Sequence, residues 1–413
     1  MIDQDPIIFG LICGLLGTIY YTRQLSHPFW RAIHQYVPVM VLCYFLPSLF
    51  NTFGVVDVSQ SRLPYIAVNY FMPACLALLI FNIDMKSILQ LGPKLIILFT
   101  VGAISIVLGG PFALMVFQGM SPDSLANSGE NAAWRGMATL AGNWVGGTAN
   151  QLAMKEVYHV GDSIFSVMIT VNVVFSALWM TVLLMLSQHA PWLDKRIKAD
   201  TRGLQNLVKS ANKLHLAEPQ IPQLQHYIFM LAAAFGVAGI GHAGADYLAP
   251  YFSLHYPELA RFSLTNRFFW LVMIVTSLSF VLSYTRVRDL ERVGSESVSS
   301  VMLFMLIAIM GLQMDITAIS DFPRFFVIGF IWLLFHVVCV MAVGIMIKAP
   351  TAYMAIASQC NLGGAASAPV VAVAYHRSFA PVAVLLSVLG YGWATYLAWI
   401  CGELLQSVNF HFM

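Results

Sequence analysis

The sequence predicts an all-α polytopic membrane protein built from two inverted repeats, each of about five transmembrane helices plus one re-entrant hairpin or broken helix. Three observations lead there. The 413 residues are 59% apolar and 10% charged, with a mean hydropathy of +0.76, whereas a soluble domain carries about 25% charged residues. The apolar residues gather into twelve segments, most near the roughly 20 residues that cross a bilayer. Two of those segments are interrupted at mid-length by polar, glycine-paired islands, Gly142–Gln151 and Gln359–Ser367, set at matching places in two similar halves.

Taken in order, segment 6–22 follows an acidic start, Met1 to Pro6, with no positive leader region, so it reads as a retained first span rather than a signal peptide. Segments 36–53, 64–83 and 94–118 are uninterrupted apolar runs, 134–157 holds the first island, and 162–188 contains Asn172. The long polar interruption, 191–225, separates a first repeat (1–190) from a second (226–413). Segment 226–249 includes small residues from Gly236 to Gly244, a pattern suited to tight helix contact or dimerisation. Segments 267–285 and 297–314 follow, then 324–347 with His336 at its centre, 351–375 with the second island, and 379–405 with Tyr391. The six cysteines fall one per apolar segment without CxxC or His/Cys spacing, so neither a disulfide framework nor a zinc site is expected.

The halves align. Placing Gly146-Gly147 on Gly363-Gly364 brings Tyr158 onto Tyr375 without a gap, and Asn82-Ile83-Asp84-Met85 before Pro93-Lys94 mirrors Gln313-Met314-Asp315-Ile316 before Pro323-Arg324. If all twelve segments crossed, the repeats would be parallel. If 134–157 and 351–375 dip in and return, each half has five crossings and the repeats are inverted. With loop 191–225 cytoplasmic, the hairpin arrangement puts fifteen of the 21 Lys and Arg residues inside and six outside, against twelve and nine when every segment crosses. The positive-inside rule therefore favours hairpins, with both termini outside. Half of a 25-residue hairpin reaches roughly 18 Å at 1.5 Å per residue, about to the bilayer midplane, where both tips can meet.

The tip residues suggest the chemistry. Gly146, Gly147, Gly363 and Gly364 permit positive φ and let a ligand approach the backbone. A half-helix begins behind each pair, and its free N–H groups and positive dipole end favour a carboxylate. Thr148, Asn150, Gln151 and Ser367 can cap or donate; Asn143, Gln359 and Asn361 offer amide groups to a ligand or Na⁺. Asn172 and Tyr391 could face the tips. No lysine or arginine is near, so dipoles and amides would recognise the solute. Asp84, Asp315 and His336 are candidates for ion coupling, with helix capping and ordinary interhelical hydrogen bonds as the plain alternatives. No nucleophile–base pair or HExxH pattern is present, so no enzyme activity is expected.

The stretch Ala357–Pro369 leading to Leu389-Gly390-Tyr391-Gly392, with Gly-Gly-Thr-Ala-Asn at 146–150, resembles the bacterial domain-of-unknown-function family 819 of predicted integral membrane proteins. That family is grouped with the cation:proton antiporter and anion transporter superfamily. The resemblance implies inverted repeats, a mobile core (transport) domain with two broken helices or hairpins, and a scaffold domain. It adds weight to the two islands, although Trp144 and Cys360 stand where polar residues would be expected. The expected function is secondary active transport across the bacterial inner membrane of a small carboxylate-bearing solute, an organic anion, amino acid or short peptide. Transport would be coupled to Na⁺ or H⁺ and would use an elevator-type motion. The alternative is a cation/proton antiporter without organic substrate. No cofactor and no nucleic-acid partner is expected, and a homodimer would suit the elevator.

Overall fold

The computed structural model describes residues 2–36, 39–58, 61–89, 91–121, 128–200, 221–312, 323–376 and 379–411. Asp315 lies outside the described residues, as does most of the polar linker. Helices account for the ordered elements among them, apart from one isolated bridge between Ile2 and Val56. In chain order they are α1 (Asp5–Gln24), α2 (Pro28–Tyr36), α3 (Val39–Thr52), α4 (Leu63–Phe81), α5 (Met85–Leu89), α6 (Pro93–Met120), α7 (Ala133–Val157) and α8 (Asp162–Gln188). After them come α9 (Ala190–Arg196), α10 (Leu224–His255), α11 (Arg267–Leu282), α12 (Ser295–Gly311), α13 (Arg324–Met346), α14 (Thr351–Leu362), α15 (Gly364–Tyr375) and α16 (Ala380–His411). Each expected apolar segment is helical, and α10 and α16 run further than the apolar pattern, to His255 and His411.

Seven of these helices, α1, α4, α6, α8, α10, α13 and α16, are long and apolar enough to cross a membrane; α11 makes eight if the Arg286–Val293 turn, bent 90° from it, is counted with it. Local chemistry sets several boundaries. Pro93 opens α6 directly after Gly92, whose φ of 91° reverses the chain. Asn266 starts α11 by accepting from the N–H groups of Phe268 and Phe269. Inside α4, Ala67–Phe71 widen into a π-turn ahead of Pro73, whose missing N–H cannot complete the regular ladder.

Side-by-side packing sorts the long helices into two groups. α1, α3, α4, α10, α11 and α12 pack on one another, and α6, α7, α8, α13, α14, α15 and α16 form the second cluster, touching the first mainly where α16 and α7 meet α4 and α11. Neither group is one half of the chain: each takes helices from both. In the second group α6 and α13 run antiparallel. A Cβ on Gly344 would lie 3.6 Å from Leu98, Gly102 abuts His336, and Gly109 and Gly110 abut Trp332.

The contacts at the helix ends bear on the two arrangements weighed from sequence. Lys94 Nζ bonds Asp200 and the carbonyl of Lys348, so the start of α6, the segment after α9 and the end of α13 lie together. At another place Asn266 donates to the Val157 carbonyl and Arg135 to that of Tyr158, joining the start of α11 to the two ends of α7. With all twelve segments crossing, Lys94 and Asp200 would sit at opposite ends. Their contact requires that α7 return to the side it started from.

Candidate substrate site at the paired hairpin tips

α7 is a hairpin, not a bent rod. Gly146 (φ −148°, ψ 20°) and Gly147 (φ 74°, ψ −178°) break it in the middle, and the halves fold back so far that a Cβ on Gly142 would meet the Asn150 carbonyl at 2.8 Å and Met154 at 3.1 Å. In an unbroken helix residues 142 and 150 would be about 12 Å apart. α14 and α15 form the matching hairpin around Gly363 and Gly364 and pack against each other. A side-chain bond staples each tip across the break: Asn143 Nδ2 donates to Gln151 Oε1, and Gln359 Nε2 donates to Ser367 Oγ at 2.8 Å. The glycines are needed for different reasons. Gly147 and Gly364 have positive φ (74° and 59°), whereas a Cβ on Gly146 would fall 2.0 Å from Ala394 and one on Gly363 1.8 Å from Ser367 Oγ.

Both tips line one cavity of about 230 Å³ between the two helix groups. From the hairpins come Asn143, Gly147, Thr148, Ala149, Gln151, Gly363, Gly364, Ala365 and Ser367; α8 adds Asn172 and Ser176 beside Ile169, Val173, Ala177 and Met180; α16 adds Tyr391. The first group closes the cavity with Tyr44, Leu79, Leu303 and Ile307. None of the lining residues is charged. The field inside therefore comes from dipoles: two half-helices begin at Thr148 and Gly364, and the N-terminal end of a helix carries the positive end of its dipole.

The expected site residues divide. Asn143, Gly147, Thr148, Gln151, Gly363, Gly364, Ser367, Asn172 and Tyr391 come together at the cavity. Gly146, Asn150, Gln359 and Asn361 stand behind it. Asn150 accepts from Thr395 Oγ1 (2.8 Å) and donates to the Gly146 carbonyl (2.8 Å); Asn361 donates to the carbonyls of Phe99 (3.1 Å) and Ala357 (2.9 Å). Those four shape the tips rather than touch the space between them. Trp144, unexpected beside the first glycine pair, reaches Asn172 Oδ1 with its indole N–H (3.1 Å) and packs on Trp332.

The coupling candidates have ordinary partners. Asp84 accepts from the Ser87 amide and hydroxyl at the start of α5 and pairs with Arg288 at 3.0 Å. His336 is buried between α6, α13 and α14. The Gly102 carbonyl (3.2 Å) can only accept and Ser105 Oγ (2.8 Å) already donates to that carbonyl, so in the neutral ring the proton sits on Nδ1 and Nε2 accepts from the Ser358 hydroxyl (2.8 Å), which itself accepts from Trp179 Nε1 (2.8 Å). Neither residue lines the cavity. The small-residue run of α10 is half used: Gly241 and Gly244 receive Val275 and Ile274 of α11, while Gly236 and Gly239 have open space around them.

Sequence reasoning missed Ser176 and the apolar wall. Ser176 donates to the Leu362 carbonyl (3.0 Å), the last of α14, and also faces Asn172 Oδ1 (3.1 Å). It lies one helical turn after Asn172, a spacing that could have marked it. Leu79, Leu303 and Ile307 carry no such signal, because apolar residues are everywhere in these helices.

Comparison with known proteins adds a relative and a family. The chain is similar to the uncharacterized membrane protein YjcL of Bacillus subtilis (strain 168), 21% identical over 372 residues, 87% of each chain. It also matches, over residues 10–408, the family described as "Protein of unknown function (DUF819)". That span takes in both hairpins and nearly the whole length, and the chain therefore belongs to the DUF819 family of multi-pass membrane proteins.

Proposed function

We propose that the protein is a secondary active transporter of the bacterial inner membrane that carries a small carboxylate-bearing solute coupled to Na⁺ or H⁺. The observation behind this reading is the shared cavity: two stapled hairpins present glycine pairs and half-helix N-termini to one uncharged space between two helix groups. Such ends attract an anion without a fixed counter-charge. A cavity at the seam also suits an elevator, in which the hairpin-bearing group would slide against the other with the solute held at the tips. The antiparallel run of α6 and α13 supports inverted repeats. Matching Pro93 with Pro323 pairs position 102 with 332 and 106 with 336, and the contacts exchange accordingly: His336 bonds the Gly102 carbonyl, and Trp332 bonds the Ile106 carbonyl. An internal two-fold axis produces that reciprocity. Tyr158 and Tyr375, also matched, each bond a carbonyl in the last helix of the opposite half, Trp399 and Leu183. In this reading the protein is not an enzyme, residues 191–225 are cytoplasmic and both termini are outside. Its partners are the solute with its coupling ion, the bilayer and a second copy of the chain in a homodimer, with no nucleic acid.

Thermal unfolding of purified protein against carboxylates, with and without Na⁺ and across pH, tests the reading, because a ligand that binds only the native state raises the midpoint. Stabilisation by a carboxylate supports it; stabilisation by cation and pH alone favours the cation/proton antiporter. Gly147→Val and Gly364→Val should abolish uptake into proteoliposomes while membrane insertion persists, and normal uptake in both would remove the tips from the mechanism.

A further inference from the structure

Resting on the transporter reading, we infer that the solute is an amphipathic monocarboxylate, with its carboxylate at the hairpin tips and an aliphatic tail against the seam. The head has a specific donor. Gln151 is 1% exposed and lines the cavity; its Oε1 is taken by Asn143, and its Nε2 has no partner. A buried amide N–H₂ left unbonded in the first turn of the half-helix that begins at Thr148, on a residue that lines the cavity, is what a carboxylate oxygen would satisfy. The tail side is equally defined. Ile169, Val173 and Met180 of α8 face Leu79, Leu303 and Ile307 from the first helix group, with no lysine, arginine or histidine among the lining residues. A second carboxylate, or an ammonium, placed there would lose its water without meeting a side chain of opposite charge. An alkyl chain would gain roughly fourfold in affinity for each methylene it buries.

The test is binding to the purified full chain in detergent, by calorimetry and thermal shift, with propanoate, 4-methylpentanoate, glutarate and 4-methylpentan-1-ol as probes. The expected order places 4-methylpentanoate at least tenfold tighter than each of the other three. Gln151→Leu should weaken 4-methylpentanoate about tenfold and leave the alcohol unchanged. Leu303→Asn, on the opposite wall, should narrow the gap between 4-methylpentanoate and propanoate, and it serves if the first variant fails to fold. Glutarate binding as tightly as 4-methylpentanoate would overturn the inference and leave a carboxylate carrier standing. Acid and alcohol binding equally well would overturn both, as would no binding by any of the four.

Discussion

Gly147 and Gly363 flank the same cavity, yet a methyl group added to each would fail in a different way. At Gly147 the backbone itself is the obstacle: φ 74° with ψ −178° is a region essentially reserved for glycine, so Gly147→Ala should cost roughly 1–3 kcal/mol whatever surrounds it. At Gly363 the backbone is ordinary and the collision is with Ser367 Oγ, 1.8 Å from the added Cβ. Gly363→Ala should cost about 1–3 kcal/mol by overpacking, and Ser367→Ala should recover part of that while doing nothing for Gly147→Ala. Thermal unfolding of the four variants checks the contrast, since only neighbours couple. His336 belongs to this scale too. Ser358→Ala would strand both Trp179 Nε1 and His336 Nε2 and should lower stability by about 1–3 kcal/mol without changing ligand affinity. The sequence marked His336 and the glycine pairs as unusual, but it could not say that His336 is answered by Gly102, Ser105 and Ser358, because those partners are brought by other helices.

The twelve apolar segments were legible as helical because each is a long apolar run bounded by proline, glycine or charge. The two hairpins were legible because a glycine pair inside polar residues cannot continue a helix in lipid. What escaped was how the hairpins are anchored. The polar stretch 191–225 read as a linker, but its beginning is structural: Asp194 Oδ1 accepts from the Thr351 amide at 2.7 Å and from its hydroxyl, which caps the first turn of α14. Asp194→Ala should therefore lose about 1 kcal/mol, as a lost N-cap does, and hydrogen exchange should rise first in Thr351 and the residues after it. Residues 157 positions apart in the chain leave no local trace of such a cap.

For the molecule as a whole, charge distribution gives an expected orientation, and the contacts are consistent with it. Lys94, Asp200 and Lys348 meet at one end, as the hairpin arrangement required, while Arg135, Tyr158 and Asn266 belong together elsewhere. In a cysteine-free background, Ser128→Cys should react with a membrane-impermeant thiol reagent added outside intact cells, and Arg196→Cys only after permeabilisation; the reverse pattern would invert the orientation. The sorting of helices into two groups was not readable from composition, because both groups are equally apolar and each draws on both halves. That sorting gives the wall of Leu79, Leu303 and Ile307 an importance beyond binding. Hydrocarbon makes no directional bonds, so in the sliding motion proposed above a surface gliding along it would strand no donor or acceptor partway through its travel. The barrier at mid-stroke would then be set by how well these side chains fit the passing face, and a single serine or asparagine planted on that track should act as a brake.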